Sequence, residues 1–406
     1  MHKQLNLDQF IKTFVTKREE SLLNPDFNKF KSELNHLINN KNVLVIGGAG
    51  TIGSSYIKAI LKFNIHKLVV VDINENGLTE LVRDIRSSAG YNIPEEFVTY
   101  PVNFGDRVFD KIFHRHGPFE IVANFAAHKH VRSEKDIFSI EAMIENNVLR
   151  ARKLLELLLQ SPPEHFFCVS TDKAANPVNI MGASKKLMEE LIMAYSAKLP
   201  IKTARFANVA FSNGSLPLGF LERLQKKQPW SCPKGIRRFF VSPQESGELC
   251  LMASIMGKSG DIFFPKLNEE KDMIPFDKIA IDLLETLGFK PDSCQTEDEA
   301  RQKALLLTEA STTYPVYFFG SDTSGEKTFE EFFTDQEELD NDSFINLGVV
   351  KNSRKRTIQE IDYIFEQLHN LFESTKVTKV AIVEILKQYL PNFDHIEKGK
   401  GLDSQM

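Results

Sequence analysis

The sequence predicts an α/β protein built on a doubly wound parallel sheet, with a smaller interleaved lobe and a helical extension at each end. Three observations predict it. Short apolar runs alternate with helix-length stretches from Asn42 onward. A glycine-rich turn, GGAGTIG (Gly47–Gly53), joins the first run to the first helix, and an acidic residue, Asp72, ends the second run.

Residues 1–40 read as an amphipathic helical segment, with Leu7, Phe10, Ile11 and Phe14 among many charges. Such a segment suits packing on the main domain or a partner subunit better than chemistry. The strand-like runs are VLVIG (43–47), LVVVD (68–72), FVTYPV (97–102), EIVANFA (120–126), FFCVS (166–170) and KTARFA (202–207). The clearest helices between them are Ile52–Phe63, Glu75–Ser87, Glu141–Leu159 and Met181–Lys198. The third ends LLELLL, apolar nearly all round, so it and the fourth are expected to be buried, partly by another subunit of a dimer or higher oligomer. Past Phe206 the alternation weakens. Residues 205–227 and 236–253 are expected in the smaller lobe, Ser293–Arg301 as a polar loop, and Ser353–Leu390 as charged helix.

In the glycine turn, Gly47 serves the tight turn, Gly50 the close approach of backbone to ligand, and Gly53 helix–strand packing. A helix amino terminus placed there faces a pyrophosphate. Asp72, about 20 positions on, is placed to bind a ribose, and its charge opposes a 2′-phosphate, so NAD is favoured over NADP. The plainer alternatives are a tight turn and a strand-end cap; the strand–turn–helix setting favours the dinucleotide. The expected organisation is a helical extension (1–40), a Rossmann-like NAD-binding domain (41–206), a substrate-binding lobe (207–350) and a second helical extension (351–406).

The stretch STDKAANPVNIMGASKK (Ser170–Lys186) carries the chemistry. Thr171, Asp172 and Lys173 follow an apolar run, at the strand end where parallel α/β sheets keep their sites. Asn176-Pro177 breaks the chain, and Met181 and Lys185, four apart, share one face of the helix beyond it. Arg237 and Arg238 beside two phenylalanines suit a diphosphate, or else form a basic pair on an edge strand.

The totals set bounds. A chain of 406 residues with 42% hydrophobic and 26% charged residues is globular, and a net charge of −5 argues against a general nucleic-acid or anionic-membrane surface. Cys168, Cys232, Cys250 and Cys294 form no CxxC pair, which fits a reducing cytoplasm. No signal peptide and no run of membrane-spanning length is read in the sequence. His128 and His130, with His114 and His116, lack a carboxylate partner at helical spacing, so no metal site is expected.

On these residues the chain resembles the extended short-chain dehydrogenase/reductases, and within them the nucleotide-sugar 4,6-dehydratases of bacterial surface-sugar biosynthesis. STDKAANPVNIMGASKK, NFAAHKHV (124–131), RFANVAFSNGS (205–215), RRFF (237–240) and SGEK (324–327) match that group's segments in order, over about Lys41–Phe333. The resemblance implies that NAD takes a hydride from carbon 4 of a UDP-N-acetylglucosamine, a base removes the carbon 5 proton, the carbon 6 hydroxyl leaves as water, and the hydride returns to carbon 6. By position Lys173 is the base, Asp172 the acid, and Thr171 a hydrogen-bonding neighbour of the reacting hydroxyl. A lysine base must shed its proton near neutral pH, and burial and the nearby Lys185 both push that way. Lys185 is the helix lysine on the nicotinamide ribose. Met181 stands where the wider family has a tyrosine, as in a subset of the dehydratases, and methionine cannot exchange a proton.

The resemblance also implies cofactor contacts at Thr51, Ile52, Asn74, Asn103, Phe104, Ala126, Ala127, Lys129, Asn147 and Ser170, and substrate contacts at Lys129, Asn208, Ser215, Arg238 and Glu326. The chain departs from the family pattern at four places. Asn103 replaces an aspartate, Arg132 a proline and Ala207 a glycine, and the arginine expected before GEK is missing from SDTS (321–324). The rival readings are a nucleotide-sugar epimerase, the same dehydration on a GDP-sugar, and an NAD-binding regulator without catalysis.

Overall fold

The computed structural model describes residues 5–320, 331–353, 355–374 and 377–395, with backbone alone at position 132. The six expected runs form β1 (Asn42–Ile46), β2 (Lys67–Asp72), β3 (Glu96–Pro101), β4 (Ile121–Asn124), β5 (His165–Val169) and β6 (Ile201–Ala204). They pair in parallel in the order β3-β2-β1-β4-β5-β6. Strand Ile262–Pro265 continues the sheet in parallel beyond β6, and Leu347–Lys351 and Glu338–Asp340 close that edge antiparallel. Helices cover both faces of the parallel strands, so runs such as Leu68–Val71 are apolar at every position and fully buried. The fold is Rossmann-like. Strand order reverses between β1 and β4, which opens the crevice at their carboxyl ends.

Several details differ from the expectation. Segment 236–253 does not stay in the smaller lobe. After strand Arg237–Val241, a capping box at Ser242 starts the helix Pro243–Met256, which lies against the helix Thr51–Ile60 of the main domain. Gly247 permits that contact, since a Cβ there would fall 2.2 Å from the Ser55 carbonyl oxygen. Nearly every side chain of this helix is buried, so it shows no amphipathic period to betray it. The expected polar loop Ser293–Arg301 is instead the end of strand Lys290–Cys294 and a helix, Glu297–Ala304. The Thr296 side chain caps that helix, and Arg301 pairs with Glu297 and Asp298 along it, which supports a helix that buries only Ala300 and Ala304. Lys290–Cys294 joins Thr313–Gly320 and Trp230–Lys234 in a separate three-stranded parallel sheet.

The long helix expected at Glu141–Leu159 begins earlier, at Ile137 under an Asp136 cap, and a π turn at Glu145–Leu149 divides it from Arg150–Gln160. The next helix, Ile180–Ala194, is buried on almost every side. The chain itself supplies part of the cover over these two helices. The helix Ile358–Phe372 packs on Ile180–Ala194, Arg356 meets Glu190, and the Arg152 guanidinium pairs with Asp362 and lies 5.5 Å from the Phe365 ring centroid. At the other end, Arg18 grips Glu245 with two nitrogens at 2.8 and 2.9 Å, and so ties the amino-terminal segment to the Pro243–Met256 helix. Among the described residues, no helix is long and apolar enough to cross a membrane.

Candidate active site

Gly47 follows β1 in the left-handed region, with φ at 78°. A Cβ on it would sit 2.5 Å from the Ala126 nitrogen, so only glycine lets the turn pass this close to the chain leaving β4. Gly50 caps the Thr51–Ile60 helix, and a Cβ there would meet only the Gly47 carbonyl oxygen, at 3.5 Å. Gly53 packs on the turn itself rather than on a strand, a correction to its expected role: a Cβ there would lie 2.2 Å from the Gly47 carbonyl oxygen. Asp72 accepts hydrogen bonds from the Ala49 amide and the Asn74 amide, each at 2.9 Å. Gly47, Gly50, Asp72, Asn103, Phe104, Ala126 and Ala127 line one cleft of about 170 Å³, joined by Ile73 and Asn146, which the sequence did not single out, and by His128, considered there only as a metal ligand.

A positive-φ glycine, an open helix amino terminus and an acidic residue at the rim are what an adenine dinucleotide requires, so the residues present fit NAD. Not every expected contact points there. Asn74 caps the helix Glu75–Ser87 through the Gly77 amide. The Asn103 amide oxygen accepts from the Gly105 amide at 2.8 Å. The Thr51 hydroxyl, beside half-buried Ile52, accepts from the Asn213 amide at 2.9 Å, and Lys129 donates to the Asn213 carbonyl at 2.9 Å. These two bonds hold the 211–215 loop across the glycine turn. The surrounding protein desolvates the Lys129 ammonium and lowers its pKa, although the residue as a whole is exposed.

β5 leads into the residues expected to carry the chemistry. Ser170 is buried, and its hydroxyl donates to Glu189 at 2.6 Å, so its side chain is engaged in the scaffold. Glu189 is also bound by Arg205, itself fully buried and bonded to Glu337. Burial alone would raise the Glu189 carboxyl, but the Arg205 guanidinium draws it down to about 2. Thr171 is extended, and Asp172–Ala174 form a single 3₁₀ turn. Asp172 is 4% exposed, and its Oδ1 accepts from the Thr171 hydroxyl at 2.7 Å, the Lys173 amide at 2.9 Å and the Lys173 ammonium at 3.1 Å.

Lys185 lies one turn after Met181, both buried. Its ammonium donates to the Val169 carbonyl at 3.0 Å, and burial lowers its pKa. Asn147, on the π turn, accepts from the His128 amide at 2.8 Å and donates to the His128 carbonyl at 2.9 Å and the Ser184 hydroxyl at 3.0 Å. It thereby bridges the chain after β4 to the helix Ile180–Ala194. A π turn adds one residue and rotates the helix beyond it, and such turns recur at functional sites.

Asn208 and Arg238 share a small sheet of Asn208–Val209, Arg237–Val241 and Met273–Pro275, where Asn208 pairs with Phe240. Arg238 is buried and donates to the Arg237 carbonyl at 2.9 Å. Ser215 caps the helix Leu216–Gln225. Glu326 and the SGEK turn lie outside the described residues. The four histidines do not gather: His116 is bonded to Tyr100 at 2.7 Å and Glu96 at 2.9 Å, beside β3. Among the described residues no cluster of three metal-ligating side chains occurs.

Residues 43–352, about three-quarters of the chain, match the family described as polysaccharide biosynthesis protein. The chain belongs to that family. It is 28% identical over 352 residues to the uncharacterized membrane protein MJ1061 of Methanocaldococcus jannaschii, covering 82% of this chain and 99% of that one. It is 26% identical over 350 residues to the capsular polysaccharide biosynthesis protein CapD of Staphylococcus aureus, covering 85% of this chain but only 53% of CapD. The chain thus spans about half of CapD. Among solved structures, Pen from Bacillus thuringiensis superposes with a TM-score of 0.62 at 20% identity, over 82% of this chain and 99% of that one. DesIV of Streptomyces venezuelae, a dTDP-glucose 4,6-dehydratase solved with NAD, gives 0.53 at 17%, over 72% of this chain and 88% of that one. These two likenesses concern the fold.

Proposed function

We propose that the protein is an NAD-dependent nucleotide-sugar 4,6-dehydratase acting on UDP-N-acetylglucosamine in the cytoplasm, within surface-polysaccharide biosynthesis. The broader part, a nucleotide-sugar-modifying enzyme of the dehydratase and epimerase class, rests on the family and on the glycine cleft. The finer part is carried by one observation: Asp172 and Lys173 meet through Asp172 Oδ1 at the end of β5, while buried Met181 leaves no hydroxyl four residues before Lys185.

When bound, NAD supplies a reversible hydride acceptor for carbon 4 of the sugar. Lys173 takes the carbon 5 proton. The electron pair left there expels the carbon 6 hydroxyl, and Asp172 protonates it, so one water is lost. Thr171, locked to Asp172, hydrogen-bonds at the carbon 4 oxygen. Lys185, fixed by the Val169 carbonyl, presents its charge to the nicotinamide ribose. Arg238 and Asn208 hold the diphosphate end.

The test is a mass-resolved incubation of purified protein with UDP-N-acetylglucosamine in heavy water. Loss of one water with solvent deuterium at carbon 5 and no net reduced cofactor is the expected result. Deuterium uptake without water loss makes the enzyme an epimerase, and reaction of the GDP-sugar alone moves the nucleotide. No change with either sugar leaves an NAD-binding protein without this chemistry.

A further inference from the structure

The helix that carries Met181 and Lys185 begins at Ile180, and its first amides need acceptors. Asn179 supplies one, its side chain accepting from the Gly182 amide at 2.8 Å. The second comes from a distant segment: Glu134, on the 3₁₀ turn Val131–Glu134, accepts from the Met181 amide through Oε1 at 2.9 Å. Its side chain is only 10% exposed. The same helical turn is the platform on which the reacting loop rests. A Cβ at Gly182 would lie 2.6 Å from the Lys173 carbonyl oxygen, so the backbone of Lys173 sits directly on the turn that Glu134 holds.

The carboxyl-terminal segment backs this arrangement. The Asp394 amide donates to the Pro177 carbonyl at 3.1 Å, and Phe393 is buried next to it. His395 Nε2 lies 3.8 Å from the second oxygen of Glu134, with its side chain 9% exposed. Residues 173–181 are therefore gripped at Pro177 from the end of the chain and at Met181 from the turn after β4.

We infer that Glu134 is a positioning residue for the proton abstraction: it fixes the first turn of the catalytic helix and through it the place of Lys173. The inference rests on the proposed dehydration for its catalytic readout and stands apart from it in its structural one. Geometry, not charge, is the working element, so the two conservative variants separate the cases. E134Q keeps an oxygen at the right reach, whereas E134D keeps the charge and loses the reach.

Kinetics of water loss and deuterium exchange of the backbone around Met181 are measured on full-length wild type, E134Q and E134D. In E134D, kcat should fall about 10- to 100-fold with KM near the wild-type value, as a displacement of about 1 Å at a reacting group produces. Deuterium entry at carbon 5 should slow in parallel, and exchange at the Met181 amide should quicken. E134Q should restore all three. Equal losses in both variants, or a kcat in E134D like that of wild type, overturn the inference. If wild type releases no water, the dehydratase reading fails, and the exchange result alone decides whether Glu134 anchors the helix.

Discussion

Asp172 holds Lys173 twice through one oxygen: Oδ1 accepts the Lys173 amide at 2.9 Å and its ammonium at 3.1 Å. On the proposed reading the two are acid and base, joined so that they act in turn on neighbouring atoms of one substrate, each keeping the other oriented until the substrate parts them. K173M removes the base while keeping the length of the side chain. Both water loss and deuterium entry at carbon 5 should then fall by about 10² to 10⁴, the usual worth of a positioned general base. D172N keeps the shape and removes the transferable proton, so water loss should fall further than deuterium entry. Equal deuterium entry in K173M and wild type would remove Lys173 from the mechanism.

Met181 has no proton to exchange and is 2% exposed against the core, so it fills space where another side chain could react. Leucine has nearly its volume, and such swaps cost under about 1.5 kcal/mol. M181L should therefore keep kcat within roughly threefold of wild type. A fall of two orders of magnitude would show that the thioether contacts the reacting sugar.

Much of this was readable in the chain. The strands of the parallel sheet announce themselves because both faces are covered, which makes runs such as Leu68–Val71 apolar throughout. The glycine turn is legible because Gly47 and Gly53 each meet backbone too closely for a side chain. What escaped has physical reasons. The Pro243–Met256 helix is buried all round and so lacks a polar face. Asn146 lines the cleft from a π turn that no periodicity in the sequence marks, and Glu134 meets the Met181 amide across 47 residues of chain. Local pattern carries neither signal.

Asp72 braces the turn and is proposed to bind a ribose as well, two duties that one substitution can weigh. Its oxygens already accept from Ala49 and Asn74, and each carboxylate oxygen retains a further lone pair for a ribose hydroxyl. Hydrogen bonds to a charged group are worth about 1.5–3 kcal/mol, so D72A should weaken NAD binding roughly 10- to 100-fold in a calorimetric titration. Unchanged affinity would reduce Asp72 to a brace for the turn.

A histidine at the opposite end of the sheet contributes to the response to acid. His165 starts β5, is 9% exposed, and faces the ammonium of Lys202 on β6 at 3.0 Å. Burial, helped by the Lys202 charge, lowers the imidazole from 6.5 to about 4. Burial likewise brings Lys202 to about 8. Between pH 6.5 and about 4 the unfolded chain binds a proton at His165 that the native protein does not, so native stability falls as the solution is acidified through that window. The loss should reach about 2–3 kcal/mol by the lower end. H165Q keeps an acceptor for Lys202 and does not titrate. Urea unfolding at pH 6.5 and near pH 4.5 should therefore show wild type losing about 2 kcal/mol more than H165Q, with every other titrating group cancelling between the two proteins. Parallel losses would mean that the imidazole titrates alike in the native and unfolded chains. The Lys202 charge would then be offset by its neighbours, such as the Asp261 carboxylate that raises the Lys202 ammonium against its burial.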